Sequence, residues 1–365
     1  MPVSAAPKIA VEDRPDTRSV ARVRVMVVDD SPTVRAVLAR MIAAEPDLEL
    51  AASESSAEAA LATVPRTRAD VILLDLDMPG MGGLEAIPRM LAAAEPARIL
   101  VVSSLAVRGA EHTLNALALG AADTLAKPRP GEFDDAYRAL LLRKVRLLGR
   151  VARRVRDKAA LPPRPPLRPH PKAAPHILAI GASTGGIHAL AQLLAALPPR
   201  LSLPILVTQH LPGTFTDAFI RQLHGASGRG TLVARDGIAV LPGQILVAPG
   251  DAHLTLVASP RGPAMVSLDT APAASGCRPS VDPMFASCAA LYGPHALGIV
   301  LSGMGRDGAL GAARIVAHGG TIMAQDAATC AVWGMPGAVV EAGLASTVLP
   351  PDQIAARIVA AVEAR

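Results

Sequence analysis

The stretch HILAIGASTGGIHAL, residues 176–190, contains an apolar strand, a glycine-rich turn and the start of a helix in direct succession. This order is the building unit of parallel α/β sheets. Similar apolar runs recur at 204–208, 244–248 and 296–301, so the C-terminal half is predicted to form a mostly parallel sheet. Residues 231–270 lack helical spacing, which predicts a β-rich insertion.

The N-terminal half shows the same alternation. Its apolar runs, separated by stretches with helical spacing, lie at 23–28, 48–52, 70–74, 98–102 and 123–126. Five strands alternating with helices over about 120 residues predict a doubly wound, five-stranded parallel sheet. The chain is therefore expected to be α/β throughout.

A basic, proline-rich segment separates the two halves. Seven prolines fall in 161–175, and residues 143–175 carry eleven Lys or Arg against one acid. The remainder holds 25 basic and 30 acidic residues, so the net charge of +5 combines +10 here with −5 elsewhere. Because proline locks φ and donates no hydrogen bond, residues 161–175 are predicted to be an extended, semi-rigid spacer. Residues 133–158 have helical apolar spacing and are predicted to be the last helix of the first domain, which runs into the linker. The predicted divisions are a disordered leader at 1–21, a first domain at 22–145, a linker at 146–175 and a second domain at 176–365.

Composition excludes several classes of protein. No stretch approaches the roughly 20 apolar residues of a membrane span, and the polar N-terminus is not a secretory signal. We therefore expect a cytoplasmic protein without stable membrane insertion. The three cysteines, Cys277, Cys288 and Cys330, form no CxxC pair, which predicts free thiols in a reducing compartment.

Polar residues follow all but one of the strands predicted in the first domain. They are Asp29, Asp30, Asp75, Ser103 and Lys127. Because the carboxyl ends of parallel strands gather at one edge, these groups are expected to meet. Clustered carboxylates suit Mg²⁺, and a carboxylate with a metal and an ammonium nearby suits phosphoryl transfer. Taken singly, each has a simpler explanation, since an Asp after a strand often caps a helix.

The second domain offers a serine, a histidine and an aspartate at strand ends. Ser183 lies in a G-x-S-x-G turn, His210 ends the strand PILVTQH, and Asp307 lies in a glycine-rich turn after ALGIVL. Such a turn exposes a serine hydroxyl, and the following helix N-terminus supplies N–H groups for an oxyanion. A Ser–His–Asp triad is therefore plausible, although a phosphate-binding glycine loop also fits Ser183. No cysteine has a base nearby in its motif, which disfavours a cysteine nucleophile.

Two resemblances emerge from these motifs. VVDDSPTVR, LLDLDMPGMGGLE, VVSS and KP resemble response-regulator receiver domains, across roughly residues 22–145. That resemblance implies Asp75 as the phosphoacceptor, Asp29 and Asp30 with Asp75 as Mg²⁺ ligands, and Ser103 and Lys127 as supports for the phosphoryl group.

GASTGG, TQHLP, APGDAHL, RPSVDPMF, LSGMGRDGA and AQDAATCAVWGMP are similar to the catalytic domain of chemotaxis protein-glutamate methylesterases. This resemblance implies Ser183 as nucleophile, His210 as base and Asp307 as its partner, with Met304 and Thr184 at the oxyanion hole. Arg278, Ser280 and Asp282 lie in one of these motifs, without an independent argument for a chemical role.

The two resemblances together imply a phosphorylation-activated serine hydrolase. Its expected substrates are the glutamyl methyl esters and glutamines of methyl-accepting chemoreceptors, and its expected phosphodonor is the chemotaxis histidine kinase. Ester hydrolysis itself would need no cofactor. Two alternatives are a receiver-controlled binding module and a DNA-binding response regulator. The second domain is not basic and lacks a helix-turn-helix pattern, so no nucleic-acid partner is expected.

Overall fold

The computed structural model describes residues 22–103, 107–128, 133–156, 165–169 and 173–363, which form two α/β units. The predicted leader at 1–21 lies outside the described residues. The strands of the first unit are β1 Val23–Val28, β2 Leu48–Glu54, β3 Val71–Leu74, β4 Arg98–Ser103 and β5 Asp123–Ala126. Its helices are α1 Pro32–Ala43, α2 Ala57–Thr67, α3 Gly82–Ala93, α4 Val107–Ala118 and α5 Asp135–Arg156.

The first sheet has the order β2-β1-β3-β4-β5, and all its strands are parallel. Every residue of β3 is buried, as expected for a strand covered by helices on both faces. The predicted doubly wound five-stranded sheet is therefore confirmed. This topology places the ends of β1, β3, β4 and β5 along one edge.

Helix α5 extends beyond the first predicted domain. Leu148, Gly149 and Ala152 are buried, and a Cβ at Gly149 would collide with the Val23 side chain of β1. Residues 146–156, which the predicted divisions place in the linker, are therefore part of a helix packed on the first sheet, as the helical spacing of 133–158 indicates. Of the remaining linker, 165–169 are described without regular structure, and the Arg168 N–H donates to Ala345 O at 3.0 Å in the second unit.

The second unit contains one large parallel sheet and a small ribbon. Its strands are β6 Ile177–Ala182, β7 Ile205–Gln209, β8 Thr231–Val233, β9 Ile245–Val247, β10 His253–Val257, β11 Met265–Asp269, β12 Ala296–Val300, β13 Thr321–Gln325 and β14 Thr347–Leu349. The order of the large sheet is β14-β13-β12-β6-β7-β9-β8. Residues 231–270 are β-rich as predicted, but only β10 and β11 form a separate antiparallel pair, because β8 and β9 extend the main sheet.

Helices cover this sheet on both faces. They are α6 Gly186–Ala196, α7 Thr216–Ser227, α8 Val281–Tyr292, α9 Ala309–Ala317, α10 Met335–Glu341 and α11 Pro351–Glu363. The strands β12, β6 and β7 are adjacent at the centre, so the residues that follow them share one edge of the sheet. Within the described part of the chain, no helix is long and apolar enough to cross a bilayer.

Candidate functional site

The edge of the first sheet brings its predicted polar residues together around one lysine. Lys127 Nζ lies 2.6 Å from Asp75 Oδ2 and 2.9 Å from Asp29 Oδ2. Burial opposes the charged form of Lys127, but hydrogen bonds to the two carboxylates raise its pKa above the ordinary value. Ser103 is buried at the end of the neighbouring strand, where its carbonyl accepts from the Lys127 N–H at 2.9 Å.

Three carboxylates at this edge could hold a divalent cation. Asp29, Asp30 and Asp75 each offer an oxygen within 4.8 Å of the others. Burial raises the pKa of Asp29, although Lys127 opposes this. Asp29 Oδ2 is buried and its partner is Lys127 Nζ at 2.9 Å, so a cation held by these carboxylates would share Asp29 with the lysine. An all-oxygen set of this size suits Mg²⁺ with water completing its shell.

In the second unit, neighbouring strands brace the turn that carries Ser183. The Ser183 N–H donates to Ser302 O at 3.0 Å, and Gln209 Nε2 donates to Ser183 O at 2.9 Å. Ser302 Oγ donates to Thr184 O at 2.7 Å. Gly185 has φ +74°, and a Cβ there would collide with Ala331. Glycine is therefore required for the sharp turn that leads into α6.

His210, the predicted base, and Asp307, the predicted acid, are joined by a direct hydrogen bond. His210 Nε2 donates to Asp307 Oδ2 at 2.8 Å, and Asp307 is buried. Burial lowers the pKa of His210, but hydrogen bonds to Asp307 and Cys277 outweigh it and raise the pKa to about 9. Burial opposes ionisation of Asp307, yet hydrogen bonds from His210 and its other donors hold the pKa of Asp307 below its usual range. The His210 Nδ1 atom is then the ring nitrogen left for a proton from Ser183, but no hydrogen bond between these two described side chains is present.

Ser280 anchors the aspartate of this pair. Its Oγ donates to Asp307 Oδ1 at 2.7 Å, and the Val281 N–H donates to Asp307 Oδ2 at 2.8 Å. The Ser280 N–H donates to His253 Nδ1 at 2.9 Å. Ser280 therefore positions the acid, a role that the sequence motif alone did not supply.

The two neighbours of Ser280 in its motif lie in different surroundings. Asp282 accepts from the Gly311 N–H at 2.7 Å. Burial and the nearby Asp307 raise the pKa of Asp282 to about 6. Arg278 is exposed and donates to Thr270 O at 3.4 Å. Arg278 thus lies outside the hydrogen bonds that hold the acid.

The position of Cys277 contradicts the prediction that no cysteine has a base nearby. Its Sγ, a ring nitrogen of His210 and a carboxylate oxygen of Asp307 all lie within 4.8 Å of one another. The expectation that no cysteine has a nearby base was therefore wrong for Cys277. The two residues are far apart in sequence, so only the folded loop between β11 and α8 reveals the contact.

Two main-chain N–H groups are available beside the serine turn. Thr184 and Met304 follow β6 and β12, and their N–H groups donate to no acceptor among the described residues. Gly303, the neighbour of Met304, approaches the serine so closely that a Cβ on it would lie 2.9 Å from Ser183 Cβ. Both groups can stabilise an oxyanion if the reacting carbonyl oxygen lies between them.

The first unit packs against this edge of the second. Asp123 Oδ2 accepts from Thr184 Oγ1 at 3.3 Å, and Ala118 O accepts from His188 Nδ1 at 2.6 Å. Met304 and α5 line a cleft of about 550 Å³ between the units. The residues nearest the serine turn are thus partly covered by α4, β5 and α5.

Helix α4 makes further polar contacts with the second unit. Arg221 pairs with Glu111 at 2.5 Å, and Gln222 Nε2 donates to Leu114 O at 2.9 Å. Both partners from the second unit lie on α7. The helix that follows Ser103 therefore touches the serine-bearing unit at α6 and at α7.

Comparison with known proteins identifies two sequence families. Residues 178–358 match the family described as CheB methylesterase, and residues 25–138 match the response regulator receiver domain. The chain is 46% identical over 337 residues to protein-glutamate methylesterase/protein-glutamine glutaminase 2 of Caulobacter vibrioides, covering 91% of this chain and 96% of that protein.

The chain is also similar to a protein of Azospirillum brasilense and to a protein of known crystal structure. The A. brasilense protein-glutamate methylesterase/protein-glutamine glutaminase is 40% identical over 358 residues, covering 91% of each chain. The crystal structure of the Thermotoga maritima CheB methylesterase catalytic domain is 37% identical, with a TM-score of 0.50, and covers 52% of this chain and 99% of that one.

The geometry predicts an unusually basic His210. Its imidazole should titrate near pH 9 instead of near 6.5, because Asp307 stabilises the protonated ring. Asp307→Asn removes that charge and leaves only Cys277 to oppose burial, so the midpoint should fall below that of the wild type. Histidine NMR titration measures both values, and Asp251→Asn, at an exposed position, is the control. Equal midpoints in wild type and Asp307→Asn would contradict the pairing.

Proposed function

Because the chain belongs to the CheB family of protein-glutamate methylesterases, we propose that it hydrolyses glutamyl methyl esters of chemoreceptors under the control of receiver phosphorylation. The observation that carries this proposal is the pair His210–Asp307 beside the Ser183 turn, at the ends of three adjacent strands. The products are the glutamate carboxylate and methanol. The names of the relatives also support glutamine deamidation by the same route, with ammonia leaving.

The chemistry follows from the positions of the polar groups. Ser183 Oγ attacks the ester carbonyl while His210 Nδ1 takes its proton. The N–H groups of Thr184 and Met304 stabilise the resulting oxyanion, and His210 returns the proton to departing methanol. Water then hydrolyses the glutamyl–enzyme by the same proton transfers. Asp307 holds the histidine ring in the required tautomer and stabilises its charged form.

The receiver supplies the regulatory input. Asp75 is the proposed phosphoacceptor, and a histidine kinase of the chemotaxis pathway is the proposed donor. Asp29, Asp30 and Asp75 would hold Mg²⁺, which neutralises phosphoryl oxygens when bound. Lys127 contacts both Asp29 and Asp75, and Ser103 lies at the next strand end, so a new phosphoryl group would change their interactions. Contacts between α4 and the second unit then weaken and uncover the serine.

Replacing the nucleophile tests the catalytic assignment. Ser183→Ala should lower methanol release from methylated receptor membranes by at least about 10³-fold, because the remaining groups cannot form the acyl intermediate. Gas chromatography of released methanol measures this. Ser287→Ala is the control, since Ser287 Oγ donates only to Met284 O in its own helix. Activity that survives in Ser183→Ala but is lost in the double variant with Cys277→Ala would instead assign the nucleophile to Cys277.

Ser280 is expected to be a positioning residue for the acid. Ser280→Ala removes a charge-assisted hydrogen bond worth about 1.5 kcal/mol or more, so kcat/KM should fall about tenfold or more. Because Asp307 loses a donor, the pH profile of kcat/KM should also move. Ser280→Thr keeps the hydroxyl and should restore part of the activity. An unchanged profile with normal kcat/KM would contradict this role.

The regulatory assignment predicts a separate phenotype. Asp75→Asn should keep basal methanol release but lose its stimulation by acetyl phosphate or by the kinase. Asp77→Asn changes an exposed carboxylate two residues away and should remain responsive. Equal stimulation of wild type and Asp75→Asn would show that phosphorylation at Asp75 does not control the esterase.

A further inference from the structure

Cys277 lies against the catalytic base and is not itself a reacting group in the proposed ester hydrolysis. Its Sγ, a ring nitrogen of His210 and a carboxylate oxygen of Asp307 are within 4.8 Å of one another. The Cys277 N–H donates to Ser275 Oγ at 3.3 Å, and that hydroxyl donates to Ser280 Oγ at 3.3 Å. The thiol is therefore held by the same loop that anchors the acid.

The three cysteines of the chain differ in their chemical environment. Cys277 is half-buried, whereas Cys288 and Cys330 are fully buried. Hydrogen bonding to His210 lowers the pKa of Cys277, while burial raises the pKa of Cys288 to about 12 and that of Cys330 well above its usual value. Because the thiolate is the reactive form, Cys277 should react fastest.

We propose that Cys277 is a redox modification site whose oxidation by a peroxide reversibly switches the esterase off. This proposal rests on the proposed function for its effect on activity. The Cys277 thiolate attacks one peroxide oxygen, so that an S–O bond forms and the O–O bond breaks. The sulfur is oxidised to sulfenic acid, and the other oxygen leaves as hydroxide or alkoxide and takes a proton.

A small thiol can complete and later reverse the modification. Its sulfur attacks the sulfenic sulfur, and a mixed disulfide and water form. A second thiol then reduces that disulfide and returns Cys277 to its free state. An internal disulfide is not expected, because the other two cysteines are buried and outside the cluster with His210.

The effect on activity follows from the position of the sulfur. His210 Nε2 is occupied by Asp307, so Nδ1 must remain accessible to Ser183. An oxygen or a thiol added to Cys277 lies beside the ring, where it offers His210 a hydrogen-bond partner that competes with Ser183. Cys277→Ala removes the thiol and introduces no such group, so the variant should stay active, with its pH profile moved to lower pH because His210 loses one partner that raises its pKa.

The first experiment measures the chemistry without relying on ester hydrolysis. The full-length protein is treated with hydrogen peroxide and dimedone, and with iodoacetamide at pH 7, followed by peptide mass spectrometry. Cys277 should be labelled at least about tenfold faster than Cys288 and Cys330, which serve as internal controls. His210→Ala should slow the labelling of Cys277 several-fold. Labelling of Cys277 no faster than that of the buried cysteines would overturn the proposal.

The second experiment measures the switch. Methanol release by the acetyl-phosphate-activated protein should fall at least about tenfold after peroxide treatment and recover with dithiothreitol. Cys277→Ala and Cys277→Ser should each release methanol at the same rate before and after peroxide treatment. Equal inactivation of these variants would overturn the switch. Rapid labelling of Cys277 in a protein that never releases methanol would contradict the proposed function and support the modification site alone.

Discussion

The parallel arrangement of β12, β6 and β7 is the constraint on which the catalytic unit depends. Parallel strands direct their carboxyl ends to one edge, and these three are adjacent at the centre of a seven-stranded sheet. The chain therefore needs no special loop to assemble a serine, a histidine and an aspartate that are 27 to 124 residues apart in sequence. What remains for the loops is to fix each side chain within hydrogen-bonding distance.

Fixing the acid requires burying a charge, which is unfavourable unless hydrogen-bond donors surround both carboxylate oxygens. Asp307 meets this requirement with His210, Ser280 Oγ and the Val281 N–H. The same donors keep it ionised, and the ionised form in turn stabilises protonated His210. A raised histidine pKa makes the base stronger, but fewer rings are neutral at pH 7. Catalysis by this arrangement is therefore expected to favour alkaline conditions.

The sequence was sufficient to predict the site residues that directly follow the ends of parallel strands. Asp29, Asp75, Ser103 and Lys127 lie at one edge because each ends a strand of one parallel sheet, and the same logic placed the second cluster. Ser280 and Cys277 could not be assigned in this way. Their loop has no periodic pattern, and its approach to His210 depends on contacts between distant segments. The helical spacing also predicted α5, but the domain boundary at 145 fell inside that helix, because its last basic residues were counted with the linker although Leu148 and Ala152 are buried.

The first unit contacts α6, the helix that follows the Ser183 turn. Helix α4 begins at Val107, and its last residue, Ala118, accepts a hydrogen bond from His188. Gln192 donates to the other ring nitrogen of that histidine, which fixes the tautomer. Both residues belong to α6, the helix whose N-terminus faces the turn at Ser183. Under the proposed regulation, a shift of α4 would be transmitted through His188 to the helix that follows the Ser183 turn. Thr184 contacts Asp123 of β5, so a separation of the two units would both uncover the site and change the support of its helix.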